Sequence, residues 1–155
     1  MLAEVDYLSY IMTPEIIFTL CSNMAILGWI IMAVAPRWKF THLIVTSGAV
    51  SFVLAGVYFW IIVTTFGEAE GNFSSLQGVI QLFQNPNAVL AGWIHYLAFD
   101  LFIGAWILKN SQQQGIHHLL IIPVLFLTLM FGPIGLLIYL VIRAIKTKAI
   151  LHDNF

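Results

Sequence analysis

The stretch NAVLAGWIHYLAFDLFIGAWILK, residues 87–109, carries a single acid, Asp100, near its middle and ends on Lys109. A hydrocarbon core of roughly 30 Å takes about 20 helical residues, and in lipid the backbone polar groups must be satisfied within the segment, so this run reads as a spanning helix. Three other runs reach the same length: Pro14 to Pro36, His42 to Phe66 and His117 to Arg143. Pro14 suits a first helical turn, Pro36 closes the first run, and Asn85-Pro86-Asn87 opens the third. The fourth is interrupted by Gly132-Pro133-Ile134-Gly135, where a missing amide and two glycines are expected to kink one long helix. The expected architecture is an all-α membrane protein, one transmembrane domain over residues 1–155 with four spans.

Composition agrees with that reading. Hydrophobic residues make up 61% and charged residues 8% of the 155, and the mean hydropathy is +0.95, whereas a soluble domain is about half apolar and about a quarter charged. Six basic residues against seven acidic ones, a net charge of −1, exclude the basic excess of a nucleic-acid binder. Cys21 is the only cysteine, which excludes an intramolecular disulfide and a multi-cysteine zinc site. The N-terminal MLAEVDYLSYIM has Glu4 and Asp6 where a secretory signal carries basic residues, and reads as a mature or prokaryotic start.

Four spans put both termini on one side, with the loop from Gly67 to Pro86. In that loop Phe73, Leu76, Ile80 and Phe83 fall at helical spacing after Ser74-Ser75, which predicts a short interfacial helix between spans two and three. The four-span topology places Arg143, Lys146 and Lys148 on this side and Arg37, Lys39 and Lys109 on the other, a tie that gives no orientation.

Counting inward at about 1.5 Å per residue places Asn23, Ser51, Asp100 and Thr128 near one mid-membrane plane. A carboxylate there costs roughly 2.5–3.5 kcal/mol on the insertion scale, so Asp100 must face the bundle, either as a functional group or as a neutral hydrogen-bonded packing device. Trp93, Tyr96, Asp100 and Gly104 share one helical face, while His95 groups with Phe99, Phe102 and Trp106 on a second, aromatic face. An imidazole on that face would bind a pigment metal, touch a polyene, or bond a neighbouring carbonyl. His117 and His118 lie roughly 20 Å of helical rise from His95, too far to share an ion, and read as interfacial residues.

Three stretches carry a family resemblance: SLQGVIQLFQNPNAVLAGWIHYLAFDLFIGAWI from Ser75 to Ile107, GIHHLLIIP from Gly115 to Pro123, and LTLMFGPIGLLIY from Leu127 to Tyr139. They resemble the abscisic-acid-deficient-four family, the neoxanthin synthase-like membrane proteins of plants, algae and bacteria. The resemblance implies a xanthophyll carotenoid as substrate or bound pigment and a thylakoid or other photosynthetic membrane. Its plant members are implicated in forming neoxanthin from violaxanthin, and the family has no established catalytic residues to carry over.

Opening a 5,6-epoxide to an allenic alcohol is redox-neutral: a base removes a proton from the polyene carbon beside the ring while an acid protonates the epoxide oxygen. A carboxyl away from water favours its neutral, proton-donating form. That makes Asp100 the candidate acid, with His95 and Tyr96 as candidate assistants. Trp93, Phe99, Trp106, Asn23, Ser51 and Thr128 are the candidate ligand-contacting residues, and no metal site is expected. The alternative is a small pigment-binding or structural subunit of a larger photosynthetic membrane complex. On that view a histidine contacts a carotenoid or a chlorophyll-type pigment, and Asp100 only locks helices together. A transporter or proton relay fits least, because the acid has no basic partner and the chain no inverted repeat.

Overall fold

The computed structural model describes residues 13–65 and 67–148, which are helical with no strand among them. The N-terminal acids and Phe66 lie outside the described residues. Helix α1 is Pro14–Val34, α2 is Ala49–Thr64, α3 is Leu76–Leu82, α4 is Pro86–Gln113, α5 is His118–Phe131 and α6 is Pro133–Thr147. A π-helical stretch, Thr41–Thr46, precedes α2.

Helix α4 is the central pole, touching α1, α2, α5, α6 and the π-helical stretch. Small residues permit the close approaches: a Cβ at Gly28 would meet Leu101 at 3.1 Å, and Gly104 lies directly against the Trp29 indole. The pairs Phe18–Trp93 and Trp29–Gly104 show that α1 and α4 run in the same direction. Helix α2 runs against them, because Ser51 shares a cavity with Phe102 while Ile62, further along α2, shares one with Ala88. The end holding Pro14 and Pro86 is called end A, and the end holding Val34 and Gln113 is end B.

Among the described residues, only α1 and α4 are single helices long and apolar enough to cross a membrane. The expectation of four spans, the last of them kinked, is therefore corrected at two places. The second run is divided by Gly48, whose φ of 85° an L side chain rarely adopts, into the π-helical stretch and the 16-residue α2. It keeps its direction through the break: the Thr41 hydroxyl, at the start of the π-helical stretch, donates to the Ala35 carbonyl at end B, and Ser51, past Gly48, already lies beside the same cavity as Phe102 of α4.

The fourth run is not one kinked helix. Gly135 packs on the backbone of Thr128, where a Cβ would come within 2.6 Å of the Thr128 Cα. Residues seven apart in a continuous helix are about 10.5 Å apart along the axis, so this contact requires a reversal. Gly132, with φ 40° and ψ −91°, is the turn. Beyond it α6 runs back toward end B: the buried Tyr139 hydroxyl donates to Asn110 Oδ1 at 2.6 Å, and its ring meets Trp106 edge-on at 5.5 Å. A helix continuing toward end A would carry Tyr139 away from both. Helices α5 and α6 thus form a tight hairpin whose tip lies at the level of Asp100, and the Pro14 and Lys148 ends of the described chain lie at opposite ends.

The expected loop helix is present as α3. Ser75 caps it, its Oγ accepting from the Gly78 amide at 3.1 Å. Phe83 at its end lies over Gly92 of α4, where a Cβ would meet the ring at 2.8 Å.

Candidate functional site

Two sides of α4 carry its polar and aromatic residues, and the fold separates them. The first side faces the hairpin. Asp100 abuts Gly132, where a Cβ would be 2.8 Å from Oδ1, so only a glycine turn leaves room for the carboxyl group. Gly132 caps the N-terminus of α6, the end of a helix dipole that attracts negative charge. Asp100 Oδ2 is buried without a hydrogen-bond partner. One turn away the Tyr96 hydroxyl donates to the Leu129 carbonyl at 2.6 Å, joining α4 to the end of α5. Tyr96, Asp100, Gly132 and Leu129 thus form one polar junction in the middle of the bundle.

The second side faces α2. The His95 ring stacks on Phe99 with centroids 4.6 Å apart, and Tyr58 of α2 meets it edge-on at 5.5 Å. Cavities lie on either side of this ladder. One of about 490 Å³ includes Tyr58, Phe73, Phe83, Gly92 and His95 and is roofed by the α3 segment at end A. The other, of about 450 Å³, includes Ser51, Phe52, Ala55, Phe99 and Phe102 and lies toward the middle of α4. A third, largely apolar groove of about 740 Å³ runs between α1 and α2 past Cys21, Gly56 and Trp60.

The residues expected to form one layer are distributed among these places. Asp100 and Tyr96 come together, while His95 lies five residues from Asp100, about 140° around the helix. Ser51 faces the α2 cavity. Thr128 is buried in the hairpin, its hydroxyl donating to the Val124 carbonyl at 2.8 Å. Asn23 lies on the exposed side of α1. Trp93 belongs to the α1 contact, its indole donating to Ser22 Oγ at 2.9 Å. Trp106, grouped by helical angle with His95 and Phe99, meets Tyr139 instead. At end B, His118 Nε2 donates to the Ala33 carbonyl at 2.8 Å, far from His95.

Sequence reasoning missed Asn110, Tyr139 and Arg143, all buried, at 4%, 0% and 3% exposure. Their signal was present as polar groups in otherwise apolar helices. The spacing of Gly132, Gly135, Tyr139 and Arg143 also marks one helical face, which is the buried face of α6.

These features define a small all-helical protein with two membrane-length apolar helices and two distinct polar-aromatic sides on its central helix. The chain belongs to the ABA4-like family: the family described as ABA DEFICIENT 4-like matches residues 16–139, a range that includes both sides of α4 and most of the hairpin. No curated protein sequence and no solved structure is significantly similar to it.

Proposed function

We propose that this chain is an integral membrane protein that holds a xanthophyll carotenoid along the groove between α2 and α4. Lipid solvation is supported by the outer surface, where Phe52, Val34 and Leu137 are 79%, 78% and 62% exposed among many other large apolar side chains. In such a bilayer α1, the π-helical stretch with α2, and α4 cross, and the α5–α6 hairpin enters from end B and turns back at mid-depth. Helix α3, with Leu76 78% exposed, lies at the end A interface.

The observation that carries the ligand reading is the Tyr58–His95–Phe99 ladder, flanked by the two cavities on one side of α4. Flat aromatic rings lining an apolar groove suit a conjugated chain, and the groove's few polar groups, among them Ser51 and His95, suit hydroxylated end groups. Purification in mild detergent from a host that makes xanthophylls tests this. The expected result is stoichiometric xanthophyll with the native chain and severalfold less with Ala55→Trp, which fills the groove from an exposed position. Equal pigment in both, or a chlorophyll-type pigment alone, would defeat the reading. A stoichiometric partner complex would move it toward the photosynthetic-subunit alternative.

A second reading, redox-neutral epoxide opening with Asp100 as the acid, is favoured by the unpartnered, buried Oδ2. Tyr96 is the assistant within the same junction; His95 belongs to the other side of the helix. Asp100→Asn preserves shape without a carboxyl proton. It is expected to leave abundance unchanged and to lower xanthophyll conversion by a factor of roughly 10²–10⁴ if the acid acts in catalysis. Full conversion by a well-folded Asp100→Asn protein would rule that role out.

A further inference from the structure

The hairpin changes the distribution of charge. With α6 running back toward end B, Arg143, Lys146 and Lys148 come to the same end as Arg37, Lys39 and Lys109. Asn110, three residues from the end of α4, marks the level Tyr139 has already reached, and α6 continues for two further turns beyond it. These six are all the lysines and arginines in the chain. At the opposite end lie Glu15 in the first turn of α1 and Glu68, whose carboxylate accepts from the Asn87 side chain at 3.4 Å beside the start of α4. Glu70 is in the same loop. The three-against-three tie of a through-going fourth span becomes six against none.

We infer that end B faces the side of the membrane from which the chain is inserted, the cytoplasmic side in a bacterium, with its exposed basic residues Arg37, Lys39, Lys109, Lys146 and Lys148 among anionic lipid headgroups. Positively charged segments flanking membrane helices are retained on that side and are attracted to its anionic leaflet. The loop carrying α3 and the cavity it roofs then open toward the opposite face. The inference rests on the membrane reading above but not on any ligand or reaction.

Cysteine labelling in sealed right-side-out vesicles from a bacterial expression host tests it. The native Cys21 is buried and serves as the background control. Glu70→Cys, Gln113→Cys and Lys148→Cys each add one thiol at an exposed position. A membrane-impermeant maleimide is expected to label position 70 and to reach 113 and 148 only after the vesicles are opened. Labelling of 148 together with 70, with 113 protected, would mean that the last segment crosses and would overturn the inference. Labelling of 113 and 148 with 70 protected would overturn the orientation. Labelling of all three in sealed vesicles, or release of the native chain by alkaline carbonate, would instead remove the membrane reading on which the inference stands. A second variant tests the cause: with Arg37, Lys39, Lys146 and Lys148 changed to Gln, position 70 is expected to become partly protected, as orientation mixes. Unchanged full labelling in that variant would show that charge does not set the orientation.

Discussion

Two long apolar runs are interrupted at glycines with positive φ, and they behave differently. At Gly48 the chain steps from the π-helical turn into α2 and keeps its course along α4. At Gly132 it reverses, and α6 returns beside α5. The difference lies in what surrounds each break. Apart from its chain neighbours, no atom lies within 4 Å of a Cβ built at Gly48, so no packed group crowds the break as the Asp100 carboxyl crowds Gly132. Around Gly132 the Asp100 carboxyl, the Thr128–Gly135 contact and the Asn110–Tyr139 hydrogen bond all favour the return path. A break in a helix permits a change of direction; distant contacts choose it.

Substitutions at the two breaks should therefore differ in size. The largest effect is expected at Gly135→Leu, whose side chain would be forced into the Thr128 backbone. Such overpacking should lower stability by about 3 kcal/mol and open the hairpin. Thermal unfolding in detergent measures it, and a near-native midpoint would mean that the hairpin is not closed as described.

Next in size is Asn110→Leu, which strands the Tyr139 hydroxyl in a buried position at a cost of about 1–3 kcal/mol. Adding Tyr139→Phe should recover much of the loss, because both partners of the hydrogen bond are then apolar. Additive losses in the double variant would show that the two residues do not depend on each other.

The smallest effect is expected at Gly48→Ala. The new methyl group meets nothing, and only the positive φ opposes it, a penalty of about 1–2 kcal/mol for an L residue. If this variant lost as much stability as Gly135→Leu, the contrast between the two breaks would fail.

The same contrast explains which parts of the site were legible in the sequence. Asp100 stood out because a carboxyl in an apolar run of membrane length must face protein. Its pairing with Tyr96 followed from the four-residue spacing along one helix. The stack of His95 on Phe99 is likewise a four-residue pair on α4. Residues on other segments were matched by depth alone, which leaves rotation about each helix axis undetermined. Ser51, Asn23 and Thr128 thus sit at plausible depths yet face a cavity, the outer surface and the hairpin interior respectively. Trp106 shows the same limit: helical angle ignores the partner helix, and α6 set Tyr139 against it where no helix had been expected.

Local chemistry along the chain determined the helical class, the capped α3, the membrane-length α1 and α4, and the interruption at Gly132 to Gly135, because apolar periodicity, proline and glycine act within a few residues of themselves. The direction taken after Gly132 depends on groups 22 to 32 positions away, Asn110 and Asp100 among them, which become neighbours only after the helices pack. That single reversal sends Arg143, Lys146 and Lys148 to the end opposite the one assigned from hydropathy. Charge asymmetry is a property of the assembled bundle; the order of residues supplied six basic groups, and tertiary packing brought them to one end.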